Sequence, residues 1–117
     1  MQRDDRIYLV HMLSAARENQ GYVNGKTREM YDGDLGLRRQ LERTVEIIGE
    51  AARLTSQSFR DAYPQIPWDP IIGMRHRIVH GYLLVDYHIL WLTVTVAIPE
   101  LIVELEKIVP PEMQAEP

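Results

Sequence analysis

The sequence predicts an all-α fold, an up-down bundle of four main helices with the last one kinked at Pro99. Three observations predict it. Leu37, Leu41, Val45, Ile48 and Ala52 recur on one face at the helical period. Helix starts and stops punctuate the chain, with Asp4 or Asp5, Asp69–Pro70 and Asp86 at starts and Pro64, Gly81 and Pro110–Pro111 at stops. One stretch, Thr93-Val94-Thr95-Val96, has strand-like composition, but no second strand of similar quality exists to pair with it.

The first helix is expected over residues 5–20, with Leu9, Leu13 and Ala16 at helical spacing. Residues 21–36 read as a mobile, turn-rich loop, holding four of the seven glycines together with Asn24, Asp32 and Asp34. The second helix is expected over 37–56, its apolar ladder widened by Ile47, Ala51 and Leu54. Gly49 and Ala51-Ala52 there would let a neighbouring helix approach closely. A short helical turn over 58–63 ends at Pro64. Asp69 can then cap a third helix with Pro70 at its first position, where a missing N–H costs nothing. That helix is expected to reach His80 and stop at Gly81. Asp86 caps the fourth helix, which runs to about Val109, and Pro99 should kink or split it. Residues 1–109 thus form one helical domain and 110–117 a frayed tail.

Composition narrows the function. The chain of 117 residues suits one core. It has no cysteine, which excludes disulfides and thiolate metal sites. The net charge of -4 argues against coating nucleic acid non-specifically, though not against a local basic pocket. The charged N-terminus does not read as a signal peptide. The apolar run over 89–98 is about half the ~20 residues of a membrane helix. A soluble cytoplasmic protein with no membrane association is expected. The same run is apolar on nearly all sides, so one face should meet the core and another a second copy of the chain.

Chemistry concentrates in Arg75-His76-Arg77-Ile78-Val79-His80-Gly81-Tyr82, which reads R-x-x-x-x-H-x-Y. Arginine offers a planar fork of donors for phosphate, and histidine gives and takes a proton near neutral pH. On a regular helix Arg75 and His80 would point about 140° apart. Gly81 frees His80 at the helix end, where the dipole favours the imidazolium; alternatively a two-fold axis lets each site borrow from both chains. A plainer reading stays open, in which Arg75 pairs with Glu46 or Glu50 and His80 caps the helix. His76 and His80 have metal-ligand spacing, but flanking arginines oppose a divalent cation, and no metal site or cofactor is expected. His11 reads as a partly buried structural residue, and Trp68 and Trp91 as core or interface; Glu46 and Glu50 share a face of the second helix as paired catalytic carboxylates would, but their basic neighbours favour surface ion pairs.

The motif does not stand alone. Val45-Glu46-Ile47-Ile48-Gly49-Glu50-Ala51-Ala52 precedes Tyr63-Pro64-Gln65-Ile66-Pro67-Trp68, and Ile71-Ile72-Gly73-Met74 leads into Arg75. With Val85-Asp86-Tyr87, these blocks resemble the HepT-like toxins of the HEPN superfamily over about residues 5–108. The resemblance implies a homodimeric, HEPN-like bundle acting as a metal-independent endoribonuclease on RNA. Arg75 and His80 match the family's catalytic pair, with His76 and Arg77 as auxiliary phosphate contacts; His76 stands where the family often has Asn. Tyr82 matches the tyrosine that a partner MNT-type nucleotidyltransferase antitoxin modifies with AMP. The competing function is a non-catalytic nucleotide-binding or AMP-acceptor partner of that transferase.

Overall fold

In the computed structural model, which describes residues 4–80 and 84–114 and leaves the side chain of His80 out, the chain is an all-α bundle. Helix α1, Asp5–Val23, starts where the Asp4 carboxylate accepts from the Arg6 N–H. It runs one turn beyond the expected end, to a bend at Gly25, whose φ of 77° favours glycine. Helix α3, Leu35–Leu54, is capped by Asp34, and its ladder of Leu37, Leu41, Val45, Ile48 and Ala52 is buried as the period requires. These two helices form the main interface of the bundle.

A polar seam crosses that interface. Asn19 donates to the Thr44 hydroxyl at 2.8 Å, and the Gln20 side chain donates to Asn19 Oδ1 at 3.1 Å. Asn19 and Thr44 are both buried, so satisfying them together avoids the cost of an orphaned polar group.

The long C-terminal helix is built from α7, Tyr87–Leu92, a π-helical turn, Thr93–Ala97, and α8, Ile98–Ile108. Asp86 caps it as expected, accepting from the N–H groups of His88 and Ile89. Its distortion lies before Pro99 rather than at it. A proline ring clashes with the carbonyl one turn earlier, and the π turn widens the backbone there. The Ile98 N–H bonds to the Thr93 carbonyl, five residues back. Pro99 has no N–H to offer the next carbonyl, that of Val94, and Gln20 of α1 donates to it instead at 2.7 Å.

The inner face of this helix, Leu90, Val94, Ile98, Leu101 and Leu105, is buried in the core against α1. By length and composition alone Tyr87–Ile108 is apolar enough to cross a membrane, which the shorter run 89–98 had not suggested.

Three further segments differ from expectation. The turn-rich loop contains a helix, α2, Arg28–Asp32, whose Tyr31 is fully buried. The tail over 110–114 is not frayed: α9, Pro111–Gln114, docks on α1 through Arg17, which donates to the Gln114 side-chain and main-chain oxygens.

The expected third helix is two single turns. After α4, Gln57–Ala62, which ends before Pro64 as expected, α5 spans Trp68–Ile72 and α6 Met74–Ile78. Asp69 and Pro70 lie inside α5 rather than at its cap. The chain leaves helical geometry after Ile78. Val79–His80 (β1) then pairs antiparallel with Leu84–Val85 (β2), the sole strand pairing among the described residues.

Candidate RNA-cleaving site

Two helical turns bring the motif to the surface. Trp68 and Ile71 anchor α5, and the Trp68 indole donates to the Tyr63 carbonyl at 3.0 Å. Met74 and Ile78, one helical turn apart, bury the inner side of α6. The residues between them, Arg75, His76 and Arg77, are exposed. The close approach expected at Gly49 is present: a Cβ there would sit 3.3 Å from the Ile71 carbonyl. The missing side chain lets α5 lie directly on α3 and sets α6 beside Glu46.

Arg75 Nε lies 3.6 Å from Glu46 Oε1, and Arg43 approaches the other Glu46 oxygen at 3.7 Å. Both contacts are long and exposed, so they orient more than they stabilise. Glu50 is held by Arg53 at 2.6 Å, and the hydrogen bond from Arg53 keeps its carboxyl below the usual range. The expectation of surface ion pairs for both glutamates holds. Arg77 turns the other way and donates to the Pro70 carbonyl at 3.1 Å.

His80 is not at a helix end. It lies two residues past α6 in extended backbone opposite Leu84. The Asp86 N–H closes the base of this ladder on the Ile78 carbonyl at 2.6 Å. Expectations for the His80 side chain, Gly81 and Tyr82 fall outside the described residues. No cluster of three His, Cys, Asp or Glu groups able to hold a metal occurs among the described residues.

Beside Arg75 a groove of about 730 Å³ runs between α1, α3 and the α5–α6 turns. Arg75 and His76 line it from α6, Arg43 and Arg53 from α3, and His11 from α1. His11 is exposed, contrary to the expected partial burial. The sequence held the signal: Ile7, His11, Ser14 and Glu18 share one stripe of α1, and all four are exposed.

Residues 12–108 match the family model described as "Ribonuclease HepT-like". A "Putative RNase" of Caldanaerobacter subterraneus subsp. tengcongensis is 36% identical over 107 residues, covering 92% of this chain and 96% of that protein. A "Putative RNase" of Methanocaldococcus jannaschii is 30% identical over 104 residues, covering 89% and 95%. "Probable ribonuclease HepT" of Thermococcus cleftensis is 32% identical over 108 residues, covering 92% and 98%. No solved structure matches the chain.

Proposed function

We propose that this chain, which belongs to the HepT-like ribonuclease family, is a metal-independent endoribonuclease and the toxin of a toxin–antitoxin pair. The observation that carries the reading is Arg75, exposed on α6 at the mouth of a groove, where its ion pair among the described residues is a long one with Glu46. Its guanidinium can exchange that carboxylate for a substrate phosphate.

RNA brings its own nucleophile. A base takes the proton of the 2′-hydroxyl, the 2′-oxygen attacks phosphorus, the bond to the 5′-oxygen breaks, and that oxygen receives a proton. Arg75 supplies the charge that stabilises the phosphorane, and His80 the proton transfer. The products are a 2′,3′-cyclic phosphate and a free 5′-hydroxyl. His76 faces the same groove as Arg75 and serves as a phosphate contact.

The active form in this reading is a homodimer, supported by Leu92, Val96 and Val103 on the outer side of α7–α8, which are 47%, 52% and 53% exposed. Large apolar side chains exposed along one helix are what an interaction face would use. An MNT-type nucleotidyltransferase silences the toxin by attaching AMP to Tyr82. That would place a bulky anion two residues from His80, in competition with RNA for Arg75.

The test is cleavage by protein purified without its partner. RNA should be cut in excess EDTA, leaving cyclic phosphate ends, and His80→Ala should lose about 10²–10⁴-fold in rate. Activity that disappears in EDTA and returns with a divalent metal would refute metal independence. Protein that cuts nothing while Tyr82 accepts AMP from the transferase would instead be the non-catalytic acceptor, a reading favoured by the net charge of -4.

A further inference from the structure

We propose that the groove beside Arg75 seats the base of the unpaired RNA nucleotide next to the scissile phosphate, with His11 of α1 against that base. The inference rests on the ribonuclease reading and adds a subsite and a recognition residue to it.

Size comes first. A volume of about 730 Å³ falls within the roughly 300–1,000 Å³ of clefts that hold small ligands. Its surface is divided in a way that fits a nucleotide. Ile47, Leu54 and Ile72 give an apolar floor, and Leu54, the last residue of α3, is 44% exposed. A flat base can cover that surface.

The rim is charged in the right sense. Arg43, Arg53 and Arg75 face two carboxylates, Glu46 and Glu50, so the guanidinium groups outnumber the acids. Each acid already has an arginine beside it, which limits its repulsion of a phosphate. This local balance is opposite to the net charge of -4 of the whole chain. Two imidazoles, His11 and His76, complete the rim from opposite helices. An imidazole can stack on the face of any base.

The groove is continuous with the motif, since Arg75 and His76 belong to both. A nucleotide seated there would be the neighbour of the phosphate that Arg75 grips. Within a duplex the bases are stacked inside and cannot reach an apolar floor, so the groove selects an unpaired strand.

The experiment uses His80→Ala protein, to bind without cutting, and a fluorescent decauridylate carrying one 4-thiouridine. Irradiation followed by tryptic digestion should place the crosslink on the peptide 7–17, which contains His11. Affinity should fall about tenfold in His11→Ala, the loss expected for one base–ring contact, and further in Leu54→Glu, which puts an acid on the floor. Leu54→Met should retain binding. A blunt RNA duplex of the same length should bind weakly and give no crosslink at 7–17.

Crosslinks confined to α7–α8, unchanged affinity in both variants, equal affinity for the duplex, or no RNA binding at all would each overturn the proposal. So would a dimer that Leu54→Glu dissociates, because the occupant would then be a second copy of the chain. Wild-type cleavage in EDTA is scored separately. A protein that cuts RNA while its groove variants bind normally loses only the subsite. A protein that crosslinks in the groove yet never cuts loses only the nuclease reading.

Discussion

Two arginines of this molecule are held in opposite ways. Arg38 of α3 is half-buried. It donates to the main-chain oxygens of Tyr31 and Asp32 and lies 4.6 Å over the Tyr87 ring, stitching α2 and α7 to α3. Its Nε is buried and has no hydrogen-bond partner among the described residues, a cost offset by the aromatic faces around it. Arg75 of α6 is exposed and meets Glu46 at 3.6 Å. The first arginine is fixed by its main-chain and aromatic partners. The second is loosely steered and open. Structural and chemical uses of one residue type thus separate by burial and by the number of contacts, and mutation should expose the separation.

The Tyr31 anchor beneath Arg38 should give the largest effect. Tyr31 is fully buried, its ring centroid is 4.9 Å from that of Trp91, and its hydroxyl donates to the Tyr87 carbonyl at 2.6 Å. Tyr31→Ala should cost about 3–5 kcal/mol, the range for deleting a buried aromatic, read as a lower urea midpoint. A loss under about 1 kcal/mol would mean that α2 is not an anchor, and the contrast between the two arginines would dissolve.

This anchor was illegible in the sequence, and the reason is physical. Gly21, Gly25, Gly33 and Gly36 give the segment the composition of a mobile loop, while Tyr31 is buried by residues about sixty positions away. Local propensity carries no record of such a contact. Features set by local chemistry were legible: the caps at Asp4 and Asp86, the α3 ladder, and the small residue at Gly49. The motif lies between these cases. Its residues were visible, but its backbone was not, because the departure from helix after Ile78 depends on pairing with Leu84–Val85. Pro99 announced a disturbance, yet its position follows from the carbonyls one turn earlier. His11 was misassigned by weighing its sequence neighbours rather than its helical stripe.

Arg75 should show the reverse profile from Tyr31. Arg75→Ala should reduce RNA cleavage about 10²–10³-fold, typical of removing a group that stabilises transition-state charge. Stability should move by less than about 0.5 kcal/mol, since the ion pair with Glu46 is long and exposed. Arg75→Lys should also be severely impaired, because the ammonium keeps the charge and loses the bidentate fork. Paired denaturation and cleavage measurements decide it. A variant that unfolds easily would make Arg75 structural, like Arg38, and a Lys variant with near wild-type rate would remove the need for the fork.

The smallest effect sharpens the comparison within the anchor itself. Tyr31→Phe keeps the ring and removes one hydrogen bond, leaving the Tyr87 carbonyl short of its donor, for a loss of about 1–2 kcal/mol near neutral pH. Burial pushes the Tyr31 phenol well above its ordinary value, although Arg28 and Arg38 pull in the other direction. The folded state therefore holds the phenolic proton more tightly than the unfolded chain, whose tyrosine titrates near ~10. Stability from this source is complete below that pH. It is lost as the pH climbs above it toward the raised folded value, because the unfolded state gains by ionising first. Phenylalanine has no proton to lose. The difference in unfolding free energy between wild type and Tyr31→Phe should stay constant up to about pH 9–10 and shrink beyond it, and the subtraction removes the titration of the other tyrosines. A gap that remained flat through the alkaline range would show that the Tyr31 hydroxyl is reached by water, and that the anchor is looser than its contacts with Tyr87 and Trp91 require.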